Sequence, residues 1–185
     1  MEDLKKIIKG CASGNVRAQE ELYHMLAPKM FGVCLRYAKD KTDAEDSLQE
    51  GFIKVFQNIG GFRHEGSLEG WVRRIMVNVS LEKFRKQHLM HPVEDISIYE
   101  EPQISDDIIT HISAQELMEL IQQLPPRYKM VFNLHVLEGM NHKEISEEMN
   151  ISVGTSKSNL ARAREILKRK VAELYRELVK NNSTA

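Results

Sequence analysis

Apolar residues recur along this chain at three- and four-residue intervals and almost never at alternate positions, so the pattern predicts helices and no sheet. Between residues 4 and 40 it predicts a first pair of helices, with Leu22, Met25 and Leu26 on one face before Pro28, and Phe31, Cys34, Leu35 and Ala38 after it. Thr42 and Glu45 have the form of a capping box, opening a helix in which Leu48, Phe52, Val55, Phe56 and Ile59 share a side until Gly60 and Gly61 end it. A further helix is predicted from about Trp71 to Lys86, where Trp71, Ile75, Val79 and Phe84 alternate with Arg73, Arg74, Lys83, Arg85 and Lys86. From His91 to about Thr110 there are two prolines, six acidic residues and no apolar face before Ile108, which reads as a flexible tether. Ser113 with Glu116 then resembles another capping box, followed by Leu117, Leu120, Ile121 and Leu124 up to Pro125-Pro126. A helix from Arg127 to Glu138 should stop at Gly139, a good C-cap residue. Prolines and most glycines thus stand where helices are expected to stop. The expected architecture is all-α: a domain over residues 1–90, a flexible acidic linker over 91–112 and a second small helical domain over 113–185.

The run from Asn141 to Leu160 reads as a helix-turn-helix. Asn141 and Glu144 form an N-capping pair before a short helix with Ile145 and Met149 on one face, and a break is expected from Asn150 to Gly154. Thr155 to Lys170 can then run as one helix, with Leu160, Ala163 and Leu167 on its inner side and Lys157, Ser158, Asn159, Arg162 and Lys168 mostly on others. A helix that reads a major groove needs this division: apolar residues hold it to its domain while short polar and long basic side chains reach bases and phosphates. Many solvated helices look similar. Here, however, six Lys or Arg against one Glu between Lys157 and Lys170 make it the most cationic stretch of the chain.

Charge changes the picture only when it is divided along the chain, because the formal net charge is -1. Lys and Arg against Asp and Glu number 15 to 12 over residues 1–90, none to 8 over 91–126, and 11 to 7 over 127–185. Two mildly basic segments therefore flank an acidic connector. Cys11 and Cys34 have neither metal-ligand nor disulfide-framework spacing and read as buried thiols of a reducing cytoplasm. The start, Met1 to Lys6, lacks a signal peptide's apolar core, and no apolar run approaches a membrane span, so an intracellular protein without direct membrane insertion is expected.

Over nearly its whole length the chain resembles the extracytoplasmic-function class of bacterial sigma-70-family factors. The resemblance is carried, in order, by Thr42 to Phe56, Phe62-Arg63, Gly70 to Ile75, Asn78, Leu124 to Tyr128, Glu138-Gly139, Glu144-Ile145, Val153 to Ser158 and Arg162 to Arg164. That class keeps the second and fourth sigma domains joined by a linker. It implies a factor that binds core RNA polymerase and directs promoter-specific initiation at minus-35 and minus-10 elements.

The segment similar to Asp43 to Phe56 docks on the polymerase clamp coiled coil in that family, which makes Asp43, Asp46, Gln49, Glu50 and Ile53 candidate contacts. Asp46, Gln49, Glu50 and Ile53 lie off the Leu48, Phe52 and Val55 face, leaving a polar, partly apolar surface for a partner. Phe62 to Lys86 resembles the part that captures the unwound minus-10 strand. Single-stranded DNA needs aromatic platforms and cations, and this stretch supplies Phe62, Arg63, His64, Trp71, Arg74, Asn78, Arg85 and Lys86. Trp71 suits either core packing or a wedge against bases, and Asn78 either a flipped-base contact or a helix-face amide. In the second domain, Thr155, Lys157, Ser158, Asn159 and Arg162 fall where the family reads or flanks the minus-35 element. Ser156 stands where a β-branched apolar residue is usual, which is expected to weaken packing. Leu117 to Leu137 resembles the part that holds the polymerase flap. The resemblance also implies an anti-sigma protein as partner.

Other chemistry has little support. Seven His residues include His88 and His91, but no ligand cluster accompanies them, and no nucleophile elbow, P-loop or dinucleotide fingerprint occurs. No catalytic residue, metal or cofactor is expected. One rival is a helix-turn-helix regulator acting without polymerase, which would leave the acidic helix and the aromatic-basic segment without purpose. A scaffold that only binds polymerase would leave the basic helix without one.

Overall fold

The computed structural model describes residues 2–88 and 113–182. They form two compact units, Met1–Met90 and His91–Ala185, all-α, with no strand among the described residues. The expected tether from His91 to Thr110 lies outside them.

The first unit contains α1 (Glu2–Ala12), α2 (Val16–Tyr37), α3 (Lys41–Asn58), a 3-10 turn (Ile59–Gly61) and α4 (Leu68–His88). The break between the first two helices falls at Gly14, which takes a φ of +77°, and Asn15, whose side chain accepts the Ala18 N–H. Pro28 does not stop α2 but lies inside it. An interior proline costs about 3 kcal/mol. Leu22, Leu26, Met30, Val33 and Tyr37 are buried around it, each contributing about 1.5–3 kcal/mol, so packing outweighs the lost backbone bond. The cap of α3 is Asp40 rather than the expected Thr42. Its Oδ1 accepts the Asp43 N–H at 2.8 Å, and Asp43 Oδ2 accepts the Lys39 N–H at 3.1 Å. Ser67 similarly starts α4 three residues before the expected Trp71, its Oγ accepting the Gly70 N–H at 3.0 Å.

Helices α2, α3 and α4 pack on one another around Leu22, Met30, Leu48, Phe52, Val55, Val72, Met76 and Val79. The inner stripe of α4 is thus Leu68, Val72, Met76 and Val79, while Trp71, Ile75 and Phe84 are only half-buried. Cys11 and Cys34 are both buried; burial pushes the Cys34 thiol up to about 11 despite the nearby Lys83. Gly51 marks the closest approach of α3 and α4, since a Cβ there would stand 2.1 Å from Met76 Sδ. Gly51→Val is expected to destabilise the unit by about 1–3 kcal/mol through overpacking, read as a lower midpoint in thermal unfolding. An unchanged midpoint would mean that Met76 has room to move.

The second unit contains α5 (Ala114–Gln122), α6 (Pro126–Phe132) continued by a π turn (Asn133–Leu137), α7 (His142–Met149) and α8 (Val153–Asn182). The Ser113–Glu116 capping box forms as expected, and its two hydrogen bonds hold the Glu116 carboxyl below its ordinary value. Pro126 starts α6 rather than ending α5, filling a position where its missing N–H is not needed. The expected single helix to Glu138 changes to a π turn that buries both Asn133 and Leu134. Gly139, at φ +72°, then reverses the chain. Leu120, Ile121, Leu124, Tyr128, Ala163, Leu167 and Val171 form one core cluster, and Val131, Leu134, Ile145, Met149 and Leu160 are also buried.

Candidate nucleic-acid and protein interfaces

The outer face of α3 follows from its inner one. Ala44, Leu48, Gly51, Phe52 and Val55 are buried, which leaves Asp46, Gln49 and Ile53 outward at helical spacing. Ile53 is 57% exposed, a large apolar side chain one turn from exposed Gln49 and Gln57. The other two candidates on this helix have partners inside the unit. Asp43 pairs with Lys83 at 3.6 Å in a largely enclosed position, besides its part in the cap. Glu50 lies 3.7 Å from Lys54, whose ammonium is held by Glu82 of α4 at 2.6 Å. Of the three candidate carboxylates Asp46, Glu50 and Asp43, Asp46 is the exposed one.

The loop from Gly61 to the start of α4 closes over an open cleft of about 490 Å³, lined by Gly61, Phe62, Arg63, Glu65, Gly66, Ser67, Gly70, Trp71 and Arg74. Phe62 lies against Trp71, their ring centres 5.6 Å apart. His64 adopts the left-handed region at φ +57° and places its ring edge-on to Phe62 at 4.7 Å. Of the residues expected to meet single-stranded DNA, the cleft gathers Phe62, Arg63, Trp71 and Arg74. It does not include Asn78, Arg85 or Lys86; Asn78 and Arg85 continue from Arg74 along the same side of α4 at helical spacing, and Lys86 is exposed beside them. Trp71 is half-buried, so it supports Phe62 while keeping part of its indole in the cleft. The small residues Gly61, Gly66, Ser67 and Gly70 are part of the site, which sequence reasoning missed; their clustering beside Phe62 and Trp71 was the available signal.

In the helix-turn-helix the Asn141–Glu144 box is formed, and Asn150, at φ +52°, ends α7 in the left-handed conformation asparagine tolerates. The second helix begins at Val153, two residues before the expected Thr155. Ser152 caps it: its Oγ accepts the Thr155 N–H at 2.9 Å and meets Thr155 Oγ1 at 2.8 Å. Thr155, Lys157 and Ser158 are exposed, and Asn159 is half-buried. Arg162 is also half-buried and reaches Glu165 at 3.4 Å. Lys157, Ala161, Arg164 and Lys168 instead form one exposed stripe. Arg164 was not among the expected contacts, although its distance of two turns from Lys157 was readable. Ser156 is fully buried and finds a polar partner, with its Oγ 2.9 Å from His142 Nδ1. The expected weakening of packing at this position is thus offset by a hydrogen bond.

Among the described residues no group of three or more His, Cys, Asp or Glu is placed to hold a metal ion, and no helix is long and apolar enough to cross a membrane. His91 lies outside those residues.

Comparison with known proteins bears on both units. A family model described as Sigma-70 region 2 matches residues 22–89, and one described as Sigma-70, region 4 matches residues 114–167. The chain is 30% identical over 182 residues to the ECF RNA polymerase sigma-E factor of Haemophilus influenzae, spanning 91% of this chain and 95% of that protein. It is 29% identical over 184 residues to the ECF RNA polymerase sigma factor SigW of Bacillus subtilis, spanning 92% and 98%. The solved sigma factor RpoE of Bartonella quintana, in complex with the anti-sigma factor NepR, overlays with a TM-score of 0.48 at 18% identity, covering 85% of this chain and 98% of that one.

Proposed function

Because the chain belongs to the extracytoplasmic-function class of the sigma-70 family and directs promoter-specific transcription initiation, we propose that its two units divide that work between three surfaces. The outer face of α3, centred on Asp46, Gln49 and Ile53 with Glu50 and Asp43 behind them, docks on the clamp coiled coil of core RNA polymerase. The cleft of Phe62, Arg63, Trp71 and Arg74, extended along α4 by Asn78, Arg85 and Lys86, takes the unwound minus-10 strand. The side of α8 that runs from exposed Thr155, Lys157 and Ser158 to half-buried Asn159 and Arg162 takes the minus-35 duplex. Residues around Leu117 to Leu137 hold the polymerase flap. Domains over 1–90 and 113–185 belong to one chain, joined through residues 91–112, and covalent connection supplies effective concentration, so neither domain has to bind DNA tightly alone.

The observation that carries the proposal is the gathering of two aromatic rings and two guanidinium groups in one open cleft. Stacking platforms beside cations suit an extruded base and its phosphate, whereas a regulator that binds only duplex DNA has no use for them. The protein performs no bond chemistry of its own; that belongs to the polymerase. Its place of work is the cytoplasm, and an anti-sigma protein that covers one or more of the three surfaces is its regulatory partner.

Run-off transcription with purified core polymerase on a genomic promoter library tests the reading. New discrete transcripts that share an upstream and a downstream element are expected. No transcripts, together with sequence-specific duplex binding by the chain alone, would favour the polymerase-independent regulator. On a promoter found in this way, Lys157→Ala is expected to weaken use across sequences and to reduce the salt slope of binding by about one. Arg162→Ala is expected to lower promoter affinity by about 1–3 kcal/mol if it reaches a base. Unchanged output from both would move the reading face toward Arg164 and Lys168.

A further inference from the structure

His142 is the first residue of α7, and its ring joins three segments of the second unit. Nδ1 lies 2.9 Å from the hydroxyl of Ser156 in the first turn of α8, a side chain with no exposure to solvent. On its flat side the ring stacks on His135 of the π turn, with centroids 4.7 Å apart and planes 8° from parallel. His135 Nδ1 is 2.8 Å from the carbonyl oxygen of Met140; a carbonyl only accepts, so that nitrogen carries a hydrogen. The turn before α7, the start of α7 and the start of α8 are thus tied through one imidazole.

The charges that act on His142 all oppose a further positive one: His135 from the π turn, and Lys157 and Arg164 from α8. On α7 itself the N-terminal end of the helix dipole has the same effect, and the Glu144 carboxylate is engaged by the Asn141 N–H at 2.8 Å. Burial first, and then these charges, hold the imidazole below its ordinary value of 6.5. With its hydrogen on Nε2 the neutral ring leaves Nδ1 to accept from the Ser156 hydroxyl, while the Ser156 N–H serves the helix through Ser152 O at 3.0 Å.

We propose that His142, carrying its neutral-state hydrogen on Nε2, is a positioning residue for minus-35 recognition: by accepting the Ser156 hydrogen at Nδ1 its ring fixes the first turns of α8 against α7 and so sets the orientation of Lys157 and its neighbours to DNA. This rests on the reading that the exposed side of α8 meets the minus-35 duplex. Protonation removes the acceptor, leaves a fully buried hydroxyl hydrogen to find another, and sets an imidazolium against Lys157, Arg164 and His135. The folded state holds this proton less tightly than the unfolded chain. The stabilisation is therefore complete above about 6.5 and lost as pH falls through the lower folded value.

An extra cation near DNA strengthens binding to any duplex, so the informative quantity is a ratio. Transcripts from one promoter with an intact minus-35 element, and from the same promoter with that element scrambled, are compared using the full chain and core polymerase from about pH 8 to about pH 5.5. Effects of pH on the polymerase itself cancel in the ratio. The natural chain is expected to lose about tenfold in the ratio as pH falls, the scale of one buried hydrogen bond. His142→Asn keeps a neutral polar atom near the Nδ1 position and is expected to retain the ratio with a flat profile. Ser156→Ala is expected to lower it at every pH. Identical pH profiles for the natural chain and His142→Asn would overturn the proposal, as would a ratio above one that is flat with pH in the natural chain. A ratio of one throughout would overturn the reading of α8 and this inference with it.

Discussion

Asp46→Arg combined with Ile53→Asp is expected to abolish association with core polymerase while leaving the fold of the first unit unchanged. Both side chains project from α3 on the side away from Leu48, Phe52 and Val55, and Ile53 is more than half exposed. Neither change creates a cavity or strands a buried partner. An interface on this face would depend on one apolar anchor bordered by acidic charge, and losing such central contacts costs about 2 kcal/mol or more each, about a thousandfold in affinity for the pair. Glu50 is the poorer choice for substitution. Its carboxylate stands at Lys54, which in turn binds Glu82 of α4, so a charge reversal there disturbs contact between the helices as well as the outer face. Asp43 is poorer still, because its carboxylate accepts the Lys39 N–H beside the Asp40 cap and pairs with Lys83. Binding to fluorescently labelled core polymerase, with thermal unfolding of the free protein as control, gives the answer. Affinity within a few-fold of the natural chain, with an unchanged melting curve, would place the docking surface elsewhere.

Trp71→Ala is expected to separate promoter opening from promoter finding. The indole leans on Phe62 and forms a wall of the cleft that also holds Arg63 and Arg74. A base stacked on an aromatic side chain gains about 1–3 kcal/mol, so its loss should reduce the population of open complex by about 5- to 150-fold. Core binding and recognition of the upstream duplex, which the proposal assigns to other surfaces, should persist. Trp71 is also partly buried, and alanine will lower the stability of the unit. Trp71→Phe supplies the control, since it retains a stacking face with less contact area. Reactivity of unpaired thymines in the promoter, measured for the three proteins at a temperature where all are folded, reports the opened strand directly. Equal opening by Trp71→Ala and the natural chain would show that this ring serves packing alone.

Expectations that depended on neighbouring residues were met where the sequence offered one good answer. The Ser113–Glu116 and Asn141–Glu144 boxes form as read, because capping is a transaction between a side chain and backbone N–H groups within one turn. Where two candidates stood close together the choice went astray: Asp40 rather than Thr42 caps α3, and Ser67 starts α4 three residues early. Pro28 was read as a boundary by the rule for isolated helices, yet the buried residues on both sides of it hold α2 together. The π turn after α6, which buries Asn133 and Leu134, had no signal in the helical periodicity.

The candidate surfaces divide in the same way. Family resemblance and helical spacing assigned an expected role to each segment, and spacing correctly turned Asp46, Gln49 and Ile53 outward. Spacing alone did not distinguish a charge available to a partner from one already paired across helices, as at Asp43 with Lys83 and at Lys54 with Glu82. Nor did it bring Phe62 over Trp71, exclude Asn78 from the cleft, or set His142 against Ser156 fourteen residues away. The sequence by itself determined the helices, the Ser113–Glu116 and Asn141–Glu144 boxes, the basic character of α8 and the family, because periodicity and capping act over a few residues. Only the tertiary structure decided which side chains meet, because those contacts depend on how separate helices pack and on which polar groups find partners once water is excluded.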